Sequence, residues 1–309
     1  MKFIIQILFL GAATVVASIS SAIAQDNALE YIKEYPRQQQ FKMMYKWLEN
    51  NELGSFSFSG LVKPEAGTSN AQASVDYGQS WFSILDAPAI IHVPEYDKFF
   101  SISIYDVKHN VPGVIVNPTS PILIIRPGQK VPKGEYHVVE LETDQGLVLT
   151  RMVVANNLDE VKKLRASIKM KGGKGEINYT SKEFSEETEK WGNALMEASN
   201  PYLIGKAKYP KKSGDVDPIT LATVLKRARL GAPVDAVRYS VIATDDNGKR
   251  LTGKDTYEFT IPSNIVHKEG YMSITAYGLD NKSLIPNKKK IYDRTSYSSE
   301  QNNDGTYTI

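Results

Sequence analysis

WFSILDAPAIIHVPEYDKFFSISIYDVKHN, residues 81–110, decides the fold. It reads as three short strands separated by two proline turns, at Pro88 and Pro94. Within Lys98 to Asp106, Phe100, Ile102 and Ile104 fall on one face, and Ser101, Ser103 and Tyr105 fall on the other. A period of two is the mark of a half-buried strand in an antiparallel sheet. The run therefore predicts the core of a β-sandwich or barrel. It specifies no reaction.

Glu135 to Glu142 and Leu147 to Val154 flank the turn Thr143-Asp144-Gln145-Gly146, which predicts a hairpin. Val148, Met152 and Val154 face one way there and Arg151 the other. A second strand block runs from Val237 to the C-terminus. Val237, Tyr239, Val241 and Ala243 alternate up to the turn Asp245-Asp246-Asn247-Gly248; Tyr257, Phe259 and Ile261 alternate next, then Met272, Ile274 and Ala276. Asp304-Gly305 is a last turn.

Helices are predicted on either side of the first block. Leu29, Ile32 and Tyr35 mark one that Pro36 stops, and Phe41, Met44, Tyr45 and Leu48 mark a second. After the strands, Leu158, Val161, Leu164 and Ile168 form one stripe. KMKGGKG, residues 169–175, reads as a flexible basic linker. Thr180 and Glu183 have capping-box spacing, because hydroxyl and carboxylate can each satisfy a free backbone N–H. Phe184, Thr188, Trp191 and Leu195 follow on one face, with Asn200-Pro201 as the stop. Asp217-Pro218 starts a further helix and Gly231 closes it. The predicted fold is mainly β with helical additions (α+β). Two antiparallel β-sandwich or jelly-roll-like modules, residues 25–168 and 232–309, are linked by a helical segment, residues 169–231.

Residues 1–24 read as a cleaved signal peptide. Lys2 gives a positive start, Phe3 to Val16 is mostly apolar, and Ala22-Ile23-Ala24 supplies small residues for a peptidase. The mature chain is expected to start near Gln25 and to be periplasmic or secreted, with no later transmembrane segment. It has no cysteine, so thiol catalysis, thiolate zinc sites and iron–sulfur clusters are excluded and the core must hold without disulfides. The 37 basic residues nearly balance the 35 acidic ones, for a net charge of +2, which argues against nucleic acid as a partner. Lys206 to Lys212 and Lys288 to Lys290 read as solvated loops.

The quoted text carries a resemblance. "SILDAPAIIHVPE…FFSISIYD" resembles the signature of a bacterial family known as domain of unknown function 1254. "RYSVIATDDNGKRLTGKDTYEFTIP", "YMSITAYGLDNKSLIPN" and "NNDGTYTI" resemble its usual partner, domain of unknown function 1214. The resemblance implies a paired-domain exported protein without a settled activity. The chain departs from the pattern at three places. Glu34 stands where the opening "Y-x-x-G-Y-P" has glycine. Asn70 to Asp76 lengthens an "N-x-D-T" motif and lacks its threonine. Asn287, Arg294, Asp304 and Gly305 match the C-terminal pattern in order, but Thr295 replaces the tyrosine that follows Arg294.

No G-x-S-x-G elbow, H-E-x-x-H pair or Walker loop is present. His92, His109 and His137 lie in or beside the first block without ligand spacing on one element, so no metal site and no cofactor is assigned. Ligand-binding candidates are Asp76, Asp86, Tyr105, Asp106 and His109, which gather near strand ends, and Arg294 and Tyr297 in the tail. The two aspartates at strand ends equally suit turn capping. An Arg beside tyrosines can grip an anionic or sugar-like ligand, or tie a terminal strand to the core. No residue is assigned a catalytic role. The leading reading is a non-catalytic periplasmic or cell-envelope binding protein for a carbohydrate or small molecule; the alternative is a hydrolase or lyase using Asp, His and Arg at a sandwich rim. A third reading is an assembly protein that forms homo-oligomers through an exposed sheet edge.

Overall fold

In the computed structural model, residues 27–155, 157–203, 209–265, 269–278 and 281–309 are described. The expected signal peptide, residues 1–24, lies outside them. So does part of the basic run Lys206 to Lys212. The chain falls into two compact units. One comprises residues 46–106, 111–177 and 238–309; the other comprises 27–45, 107–110 and 178–237.

The larger unit is built around the quoted strands. β1 (Ser57–Leu61), β2 (Val75–Ser83), β4 (Phe100–Asp106), β5 (Gly113–Val116) and β8 (Gln145–Val153) form an antiparallel sheet in the order β1-β2-β8-β4-β5. A second sheet has the order β7-β6-β3-β9, from β3 (Ala89–His92), β6 (Ile122–Ile125), β7 (His137–Glu140) and β9 (Lys169–Lys171). Its β6–β7 pair is parallel and its other pairs are antiparallel. One apolar cluster draws Phe82, Phe100, Ile102, Ile104, Val148 and Met152 from the first sheet. The second sheet adds Ala89, Ile91, Ile122, Ile124 and Val139, and Val161 comes from α2 (Leu158–Ser167). Fully burying one such Ile or Phe contributes about 1.5–3 kcal/mol.

Four expectations change here. All seven residues of β4 are buried, so Ser101, Ser103 and Tyr105 do not meet water. The alternation is real, but it separates an apolar face from a polar buried one. The predicted hairpin around residues 143–146 does not form, because β7 and β8 belong to different sheets. Residues 169–171, expected as linker, pair with β3 as strand β9. Gly172 and Gly173 then turn the chain at φ of 81° and 73°, and the Gly173 carbonyl accepts from Ser83 N. Finally, the second strand block is sparse. β10 (Thr260–Ile261) pairs with β13 (Tyr307–Thr308), and β11 (Ser273–Thr275) with β12 (Asp293–Thr295). Residues 237–243 form no named strand, and Val241 is 93% exposed. Alternation supplies β-competence, but a strand persists only where a neighbour accepts its backbone bonds.

The smaller unit is helical. α1 (27–48) runs straight through Pro36. Proline removes one backbone bond and clashes with the preceding turn, at a cost of about 3 kcal/mol. Buried Tyr31, Ile32 and Tyr35 before it, and Phe41 and Met44 after it, offset that cost. α3 (Glu186–Leu203) is capped by Ser185, whose Oγ accepts from Thr188 N, rather than by Thr180; Pro201 lies inside it and does not stop it. α4 (Pro218–Arg227) starts as predicted, with Asp217 Oδ1 accepting from Thr220 N at 2.9 Å and proline at the first helical position, and it ends before Gly231. Tyr31, Ile32, Tyr35, Met196 and Ala222 make this unit's core. No described helix is long and apolar enough to cross a membrane.

Candidate functional site

The helical unit contains an open cleft of about 260 Å³. Its floor is apolar: Pro36 from α1, Pro218 and Leu221 from α4, and Pro210 and Val216 from the loop before α4. Its polar rim comes from Lys33, Glu34 and Arg37 of α1, Lys108 and Asn110, and Ser213. Helical periodicity places Lys33 and Arg37 one turn apart on one side of α1, which brings their charges to a common edge. Lys33 Nζ reaches Glu30 at 2.7 Å, and that hydrogen bond holds the exposed Glu30 carboxyl below its ordinary range.

Arg37 is fixed differently. Its guanidinium carbon lies 4.8 Å from the Tyr179 ring centroid and 5.9 Å from that of Phe41. The two rings stack on each other at 3.7 Å with 2° between their planes. The cation therefore lies beside the stacked pair, nearer the ring edges than either face. The Tyr179 hydroxyl donates to Glu34 Oε1 at 3.4 Å, and burial, with Glu34 adding to it, raises its pKa above the usual phenol value. Asn110 Nδ2 donates to Ser213 Oγ at 3.4 Å.

His109 lies between two cleft residues and is itself buried, with φ of 69°. Gln40 Nε2 is 2.7 Å from its Nδ1. With the amide donating, the ring proton sits on Nε2. Burial lowers its pKa to about 3, the Arg229 backbone bond working the other way, so the ring is neutral. It supports the segment 107–110 and offers the cleft no positive charge.

The larger unit holds a second polar arrangement. β8 aligns Arg151 with Tyr77 of β2 on one side and Ser101 of β4 on the other. Arg151 donates to Ser103 Oγ at 2.9 Å and is hydrogen-bonded to Tyr105. Burial opposes its charge, and Tyr105, Tyr77 and Tyr239 outweigh burial, holding its pKa above the ordinary value. In the same unit, the Tyr271 hydroxyl donates to Gln72 Oε1 at 2.5 Å, and burial drives its pKa well up.

The residues singled out from sequence occupy separate places. Asp76 is on the opposite face of β2 from Tyr77, buried and paired with Arg165 Nη1 of α2 at 2.6 Å. Asp86 is exposed in the turn between β2 and β3. Tyr105 joins Arg151. Asp106, the next residue, is buried at the end of β4 and faces the other way. His109 belongs to the helical unit. Arg294 is exposed on β12, and its side chain makes no hydrogen bond or ion pair among the described residues. The Tyr297 hydroxyl accepts from Phe99 N at 2.9 Å, tying the tail to the start of β4. Sequence reasoning missed Arg37, Lys33, Lys108 and Arg151. A signal existed for Arg151: it is the one charged residue of a mostly apolar strand. None existed for the cleft, which joins residues about 70–180 positions apart.

Mainly antiparallel strands plus a helical unit with a cationic cleft define an α+β chain with no recognised catalytic constellation among its described residues. Residues 57–172 match the family described as "Protein of unknown function (DUF1254)", and residues 236–309 match "Protein of unknown function (DUF1214)". The chain thus carries these paired domains in N- to C-terminal order. No curated protein matches it. Among solved structures it is similar to the VPA0106 protein from Vibrio parahaemolyticus, with a TM-score of 0.72 at 17% identity, over 93% of this chain and 87% of that one. That likeness shows the fold alone. An uncharacterized protein from Burkholderia cenocepacia gives a TM-score of 0.38 at 10% identity, over 91% of this chain and 76% of that one.

Proposed function

We propose that this chain is a non-catalytic binding protein of the periplasm or cell envelope, which holds a small molecule or glycan fragment in the cleft of its helical unit. The observation that carries the reading is the cleft itself: an apolar floor and a polar rim that includes an arginine beside stacked aromatic rings, a composition suited to a small ligand. Its one carboxylate, Glu34, already accepts from Tyr179, and neighbouring His109 is neutral and enclosed. Neither is placed as an acid or base. Export rests on the character of residues 1–24. The same reading treats the two sheets of the larger unit as a sandwich-like support, because one core takes side chains from both.

The test is an NMR titration of isotope-labelled full mature protein with sugar acids, neutral sugars and small aromatics. Shifted amides are expected to cluster at residues 33–37, 108–110 and 210–221. Ligands that shift only strand residues, or that are turned over, would remove the cleft from consideration.

A further inference from the structure

We infer that the cleft takes a small organic carboxylate with an apolar body, gripped by Arg37; this rests on the binding reading above and names its ligand class. Three cations, Lys33, Arg37 and Lys108, edge the cleft against a single carboxylate, Glu34. Glu34 accepts from the Tyr179 hydroxyl, and Lys33 is held by Glu30. Arg37 is different: its side chain makes no hydrogen bond or ion pair among the described residues. It is only partly exposed and lies beside Tyr179, which stacks on Phe41.

Ring contact fixes a guanidinium without consuming its donors. The Arg37 guanidinium carbon lies beside the stacked pair, and no described residue accepts from its N–H groups. A planar fork with its donors unclaimed is matched to a planar carboxylate. The floor selects the rest of the ligand. Pro36, Pro210, Val216, Pro218 and Leu221 offer no hydrogen bonds from their side chains, so a densely hydroxylated sugar would lose hydration there without replacement. The volume of about 260 Å³ falls just below the usual range for drug-sized ligands, which leaves room for one ring or a short branched chain. A body of that size with one carboxylate satisfies both the floor and the fork.

The experiment uses full mature protein and four probes: benzoate, benzyl alcohol, acetate and phenyl phosphate, each titrated by NMR. Benzoate is expected to shift amides of residues 33–37 and 108–110. Benzyl alcohol, lacking the charge, and acetate, lacking the body, are expected to bind at least about tenfold more weakly. Arg37→Ala should weaken benzoate by about tenfold or more, and Arg37→Lys should recover only part, since an ammonium has no fork. Unchanged amide dispersion in both variants shows that they fold. Equal binding of benzyl alcohol, full affinity in Arg37→Ala, or tighter binding of phenyl phosphate overturns the carboxylate assignment. A neutral sugar that binds in the cleft while benzoate does not would also overturn it, yet would leave the binding reading standing. Failure of every probe and every sugar to reach the cleft defeats both.

Discussion

Replacing Arg165 with Met is expected to destabilise the larger unit by about 3–5 kcal/mol near neutral pH, the range for breaking a buried ion pair from one side. Asp76 is 1% exposed in its side chain and Arg165 22%, with 2.6 Å between Oδ2 and Nη1. At an effective dielectric of about 20, that separation corresponds to roughly 6 kcal/mol of attraction. Much of it offsets the cost of taking the Asp76 carboxylate out of water. Met retains the packing of the Arg165 stem near Phe58, whose ring centroid lies 5.3 Å from the guanidinium carbon. The loss then reports the charge and not a cavity.

The sign of the pH effect follows from Asp76. Burial raises its pKa above the usual carboxylate range, and Arg165 pulls it part of the way back. The folded state therefore binds this proton more tightly than the unfolded chain. The associated stability is present in acid and is lost as pH rises through the folded-state value. Without Arg165 the opposition weakens and the effect grows. Urea unfolding of parent and variant should show a large gap at about pH 7 that narrows toward about pH 4. Asp76→Asn combined with Arg165→Met should recover most of the loss, because no charge is left buried. A gap under about 1 kcal/mol at neutral pH, or one that acid leaves unchanged, would refute this account of the pair.

Ile102→Ala should cost about 2–5 kcal/mol by chemical denaturation, since Ile102 is fully buried among side chains of both sheets. Gly146→Ala should cost about 1–3 kcal/mol, because a Cβ there would meet the Tyr105 carbonyl oxygen and the Phe82 ring, and the backbone oxygen cannot swing aside. His109→Asn should flatten the fall in stability of the helical unit as pH drops from about 6.5 toward 3: the folded histidine resists a proton that the unfolded one accepts, and Asn tolerates the left-handed backbone at this position. Asp217→Ala should cost about 1 kcal/mol through loss of the α4 cap.

The parts legible in sequence were those fixed by local rules. Phe100, Ile102 and Ile104 alternate and do form one buried face. Asp217-Pro218 caps and starts a helix, because a short acceptor and a residue without N–H suit the first turn whatever surrounds them. Errors arose where tertiary partners decide. Pro36 lies inside a helix because packing on both sides holds the turn. Tyr239 and Val241 alternate like a strand but lie outside every named strand. Lys169 to Lys171 look like a linker and are recruited by β3. The candidate site was least legible. Arg37 reads as an ordinary helix-surface cation until Tyr179 arrives from far along the chain to support it.

The pairing of β3 with β9 joins residues about eighty positions apart, Ile90 to Lys171, and β2 with β8 spans nearly as much. Closing such long loops is entropically slow, and each sheet lacks a member until its distant strand arrives. A chain emerging from the ribosome would therefore hold β3 with one open edge until residue 171 is available. During that interval its backbone invites the wrong neighbour, which makes this stretch the natural point for a chaperone to bind and for truncated products to aggregate.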